Sequence, residues 1–297
     1  MRSFLTAVAG ALLSLSAVVC HAAPTRQDAL HLEVYNPGAK SVFPVSSEIV
    51  SGPHEAILID AQFQRDDAQK LVDQIRATHK TLTTIYVSHS DPDYYFGLPV
   101  LHEAFPSARI VATEPTVKAM SLLMAGKKAY WGPILKANAP GDLILPEVLK
   151  GDRLQVDGHP LLIEGLHGPA PERTFVWIPD LRTVVGGSVV FSGTHVWVAD
   201  TQTPAAREDW QQILGHIESL HPVRVVPGHY LGDAPEGLRA VDFTARYLTV
   251  FNHQLPRATD TTNLIQSMKS AYPNLSATES WLELGAHVVM GDTHWPK

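Results

Sequence analysis

The stretch from Val87 to Gly97 reads Val-Ser-His-Ser-Asp-Pro-Asp-Tyr-Tyr-Phe-Gly and constrains this chain more than any other segment. The run before it, Leu82 to Val87, is dominated by β-branched and aromatic residues and predicts a strand. One strand end therefore collects an imidazole, two carboxylates and two phenols. His89, Asp91 and Asp93 alternate along the loop and converge if it curls, which Pro92 favours. Spaced nitrogen and oxygen donors at a strand end point to a metal site. The plainer alternative is a solvated loop whose Asp and His cap a helix beginning near Leu98.

The surrounding pattern alternates strands and helices. Leu30–Tyr35, Ser41–Val50 and Glu55–Asp60 read as strands separated by the turn signals Asn36-Pro37-Gly38 and Ser51-Gly52-Pro53-His54. In Arg65–His79 the apolar residues Ala68, Leu71, Val72 and Ile75 fall at helical spacing, with Asp66 and Asp67 suited to the first turn. A short helix over Leu98–Phe105, a strand over Arg109–Ala112 and a longer helix over Glu114–Tyr130 follow. This order puts the candidate donors at the C-terminal end of a strand, where open α/β sheets place their sites. Trp131–Gly151, rich in proline and without periodicity, reads as a lid or a crossing connection. Strands are then predicted over Arg153–Val156, Pro160–Leu166, Thr174–Ile178 and Thr183–Val185, with hairpin signals at Asp157-Gly158 and Pro179-Asp180. A helix opens at Thr203-Pro204 and ends at His221-Pro222. Val223–Val226 is a strand, and two or three helices follow from about Pro235.

No linker or composition break divides the 297 residues after their first two dozen, so 24–297 reads as a single domain. The beginning differs: a short positive start, an apolar run from Phe4 to Val19, then Cys20-His21-Ala22-Ala23. Residues 1–23 are expected to be a secretory signal peptide cut after Ala22 or Ala23, the alternative being an uncleaved anchor. Val19 before Cys20 fits a lipidation site poorly. The expected location is periplasmic or secreted, with no membrane attachment after cleavage. Cys20 is the sole cysteine, so a mature chain has neither disulfides nor cysteine-type zinc sites. The formal net charge of −7, without any Lys/Arg cluster, argues against a nucleic-acid partner; a small molecule is the expected partner. The oligomeric state is not legible.

Two further histidines also follow predicted strands, in Leu166-His167-Gly168 and Pro227-Gly228-His229. With these in place the chain resembles the metallo-β-lactamase fold superfamily over nearly all of its mature length. The family signature His-x-His-x-Asp-His is matched at His89 and Asp93, with Gly97 in its expected place. Asp91 stands where the second His belongs and Tyr94 where the third belongs. His167 and His229 match the two later family histidines, while Ser188 replaces the Asp that bridges two metals. The resemblance implies an α/β fold, a four-layer αββα sandwich with a metal cleft along one edge. It further implies His89, Asp91 and His167 as one set of ligands. Of the second set only Asp93 and His229 remain, so one zinc per chain is expected, with iron as the alternative.

Asp93 is either a ligand or a base that takes a proton from metal-bound water. His229 is either a ligand or a hydrogen-bond donor to substrate. Tyr94 stands as a candidate for oxyanion stabilisation. Tyr95, His195 and Trp197 are expected at the substrate pocket, the alternative for the last two being a packed aromatic cluster. The leading functional expectation is a metal-dependent hydrolase in which zinc-bound hydroxide attacks an ester, lactone, amide or thioester. A two-His, one-carboxylate set also suits non-haem iron oxidoreductases, and the lost ligands allow a non-catalytic binding descendant.

Overall fold

A computed structural model describes residues 29–295; the signal-peptide expectation for residues 1–23 lies outside them. The first sheet has six strands in the order β1 (His31–Tyr35), β2 (Ser47–Ser51), β3 (Glu55–Ile59), β4 (Thr81–Val87), β5 (Arg109–Ala112) and β6 (Glu147–Val148). The first three pair antiparallel, and β3 to β6 pair parallel. The second sheet combines β7 (Arg153–Val156), β8 (His159–Glu164), β9 (Phe175–Ile178), β10 (Thr183–Val185) and β12 (Arg224–Val225) in the order β12-β10-β9-β8-β7. A two-stranded parallel ribbon, β11 (Phe191–Ser192) with β13 (His229–Tyr230), carries His229.

Strand periodicity explains the layering. Along β3, Ile57 and Ile59 face the second sheet and pack with Val176, Ile178 and Leu161, whereas Ala56 and Leu58 face helices. Along β9, Val176 and Ile178 point inwards, and Phe175 and Trp177 point out. Helices α1 (Arg65–Ala77) and α2 (Leu98–Ala104) lie over the first sheet, with Leu71, Val72 and Ile75 buried. On the second sheet α4 (Pro204–Ser219) buries Trp210, Ile213, Leu214 and Ile217. The result is the expected helix–sheet–sheet–helix sandwich, extended by α5 (Arg239–Gln254), α6 (Thr261–Ala271) and α7 (Glu279–Met290).

Two local expectations change. The strand expected over Ser41–Val50 is shorter: Phe43 to Ser46 bend away from the sheet, and Val45 makes an isolated bridge to His229. Pro44 lacks the amide that a continuous ladder needs there. The helix expected to stop at Tyr130 is α3 (Glu114–Leu135), which runs through Trp131 and Pro133 to a break at positive φ at Lys136 (φ 55°). Pro133 has no amide to donate within the helix, and α3 ends two residues after it. The irregular part of Trp131–Gly151 thereby shrinks, and β6 within it closes the edge of the first sheet.

Candidate functional site

The loop after β4 is fastened from behind. Asp60, just past β3, accepts hydrogen bonds from the Ser88 amide (2.8 Å) and hydroxyl (2.6 Å), and the Ser88 hydroxyl oxygen accepts from the Gly187 amide (2.8 Å). Burial of Asp60 pushes its pKa up to about 7 despite the opposing bonds from Ser88. Gly97 has no room for a side chain: a Cβ there would stand 1.9 Å from the Ala61 carbonyl oxygen. The histidine of β13 is positioned the same way, since a Cβ on Gly228 would stand 2.2 Å from the Gly187 carbonyl oxygen.

Two chains of polar contacts result. In the first, His229 Nε2 lies 2.7 Å from Asp93 Oδ2, and its Nδ1 lies 3.2 Å from the Tyr94 hydroxyl. All three residues are buried. Burial and then the charge of Asp93 hold the Tyr94 phenol well above its ordinary pKa, so it stays protonated. The tautomer consistent with this has the Tyr94 hydroxyl donating to Nδ1 and Nε2–H donating to Asp93. The imidazole stacks on Phe191 at 5.0 Å.

In the second chain, His89 Nδ1 lies 3.3 Å from Asp91 Oδ2 and 3.2 Å from the Asp91 amide. The other Asp91 oxygen accepts from the ammonium of Lys127, which comes in from α3 and also reaches the Ser90 carbonyl. Burial works against the ionised Asp91, but Lys127 and His89 outweigh it and hold the carboxyl well below the usual range. Lys127 is raised in turn: burial opposes its charge, and Asp91 and Asp200 overcome it. Asp200 is half-buried and accepts from the indole N–H groups of Trp197 and Trp295. Its carboxyl is pushed up, by burial first and by Asp91 second.

Asp91, Asp93, Lys127, Ser188 and His229 form the floor of a narrow cavity of about 30 Å³, walled by Phe43 and four indoles, those of Trp131, Trp197, Trp281 and Trp295. That volume has room for roughly two waters. The rings lean on one another: Phe43 lies 5.2 Å from Trp131 and 5.3 Å from Trp281, and Trp197 lies 5.7 Å from Trp295.

Among the expected site residues, Asp91, Asp93, Trp197 and His229 line this cavity, with His89 and Tyr94 held against its floor by the contacts just given. His167 does not join them. Gly165 takes φ +89° and its carbonyl accepts from the Gly168 amide, which turns His167 outward as an exposed residue beside Thr113, Leu149 and Asp152. His195 is buried behind the wall, with Nδ1 2.9 Å from the Tyr247 hydroxyl and its pKa lowered by burial to about 4. Tyr95 packs edge-on against Phe96 in the core rather than at the cavity. The sequence reading missed Lys127, Asp200 and the indoles of Trp131, Trp281 and Trp295, which are distant in the chain and have no shared motif.

A family model of the metallo-beta-lactamase superfamily matches residues 41–229. The chain belongs to the metallo-beta-lactamase superfamily. Solved structures agree on the fold. A beta-lactamase domain protein from Burkholderia ambifaria, 14% identical, covers 88% of this chain and 85% of its own at a TM-score of 0.61. A metallo-beta-lactamase from Pontibacter korlensis, 16% identical, covers 77% and 97% at 0.51, and metallo-beta-lactamase IND-7, 18% identical, covers 76% and 96% at 0.51. No curated protein matches the chain in sequence.

Members of the superfamily typically bind zinc, and the residues of this member do not fit such an ion as they stand. The single-zinc set needs His89, Asp91 and His167 together, and His167 faces solvent elsewhere. The Asp91 carboxylate is engaged by the Lys127 ammonium on one oxygen, and His89 Nδ1 is taken up as the acceptor of the Asp91 amide. No three His, Cys, Asp or Glu side chains among the described residues converge as a metal-holding group. The iron alternative needs the same donors and meets the same obstacle.

Proposed function

We propose that this superfamily member is a hydrolase that acts on an ester, lactone, amide or thioester of a small, largely apolar molecule, with Asp93 as general base. The observation that supports it is the state of the Asp93 carboxylate. His229 holds Oδ2, whereas Oδ1 makes no hydrogen bond within the described residues and Asp93 lines the cavity. A water beside Oδ1 loses a proton to it while the water oxygen bonds to the substrate carbonyl carbon. The tetrahedral intermediate then expels the alkoxide, amine or thiolate, which takes up the proton. His229 keeps the carboxylate oriented and Tyr94 orients His229, so Tyr94 acts as a positioning residue. The Lys127 ammonium, on the same floor, is a permanent donor for the carbonyl oxygen as it becomes negative. Trp197 and the neighbouring indoles take the apolar part of the substrate, which enters as the rings part.

Export through residues 1–23 belongs to this reading, and the N-terminal sequence of the mature protein tests it. The central test is a panel of esters, lactones and thioesters with wild type and Asp93→Asn. Loss of about 10²-fold or more in kcat is expected for the variant. Equal turnover by both proteins would remove Asp93 from the chemistry. Binding without turnover across the panel would favour the ligand-binding descendant, which the narrow, aromatic cavity also suits.

A further inference from the structure

We propose that the Lys127 ammonium serves in this chain as the resident cation of the cleft, taking on Asp91 the place that a metal ion takes on the family motif. Asp91 stands at a ligand position of the motif, and one of its oxygens is the acceptor for Lys127. The lysine is not a surface group that happens to reach inwards. Its side chain is 10% exposed, it crosses from α3 to the loop, and it meets the Ser90 carbonyl as well as the carboxylate. A dication on Asp91 would meet this ammonium on the same carboxylate, where like charges at such range repel strongly.

A second residue points the same way. At Ser188, where the family carries its bridging Asp, the chain places a buried arginine. Arg173 donates to the Ser188 carbonyl through Nη1 and to the Thr201 hydroxyl through Nη2 (2.8 Å), with its guanidinium 3.9 Å from the Trp210 ring centroid. Lys127 is thus bonded to the side chain at one departure from the motif, Asp91, and Arg173 to the main chain at the other, Ser188. Lys127 on the floor and Arg173 behind it thus set two protein cations among Asp91, Asp93 and Asp200, offsetting two of three carboxylates.

The test reads metal and stability without substrate, so it stands or falls apart from the hydrolase reading. Wild type purified without chelator, equilibrated with micromolar zinc and desalted, should retain well under one zinc per chain, and zinc should leave its Tm unchanged. About one zinc or more per chain would overturn the proposal. Lys127→Ala should melt several degrees lower than wild type, because it leaves the Asp91 carboxylate without its cation. A folded Lys127→Ala as stable as wild type would also overturn it, since the ammonium would then do nothing for Asp91. Lys127→Arg, which keeps the charge, should behave like wild type towards zinc. If Lys127→Ala does not fold, Lys127→Gln serves in its place, and the zinc content of wild type decides in either case.

Discussion

Glu48 sits in the space between the two sheets, in register with Ile59 and through it with Tyr86. Neither of its carboxylate oxygens has a hydrogen-bond partner, and the same holds for the Tyr86 hydroxyl and the Thr174 hydroxyl near it. Burial, and then the charge of Asp60, raise the Glu48 pKa well above the ordinary carboxylate value. The folded protein therefore keeps a proton that the unfolded chain releases at about pH 4.5. The stability this proton confers is complete below that pH and declines as pH rises towards the raised folded value. Glu48→Gln cannot ionise, so its advantage over wild type should grow between pH 5 and pH 8, by about 1 kcal/mol or more. Urea midpoints at the two pH values measure this; parallel losses in both proteins would mean that Glu48 does not titrate in that window.

At the scale of elements, the cleft depends on how closely three loop-to-strand joints approach one another. β13 reaches the floor only because Gly228 passes against the Gly187 carbonyl, and the Gly187 amide is itself bonded to Ser88 behind the β4 loop. Gly228→Ala should therefore cost more than about 3 kcal/mol and disturb His229 before the distant helices, which denaturation and hydrogen exchange at β13 would show. Intact exchange protection at β13 would contradict this. These joints also explain how much could be read beforehand. The donors His89, Asp91 and Asp93 were visible because strand and loop are contiguous in sequence, and His229 because Pro-Gly marks its turn. Lys127 was not, since it meets Asp91 across 36 positions and sits in a helix beside Lys128, a pattern that reads as a solvated face. The outward turn of His167 depends on the φ of Gly165, which spacing alone does not reveal. The extension of α3 past Tyr130 carries Trp131 to the cavity, a tertiary effect that local propensity, with Pro133 two residues on, opposes.

Across the whole molecule, the order of the layers was legible because period-two and period-3.6 patterns alternate along most of the chain. The aromatic wall was not, because its residues come from the segment before β2, from α3, from the stretch after β11, from α7 and from the residues beyond α7. That gathering has an optical consequence. The chain contains six tryptophans, and four of them, Trp131, Trp197, Trp281 and Trp295, surround one small cavity. Most of the intrinsic fluorescence thus reports from the cleft, and coupled indoles at centroid separations of 5.7 to 6.1 Å should give a strong near-ultraviolet dichroism. A molecule that parts the rings should change both signals in proportion to occupancy while the far-ultraviolet spectrum stays constant. The protein is in this sense its own binding assay: unlabelled compounds can be screened by light alone, before any reaction has been identified.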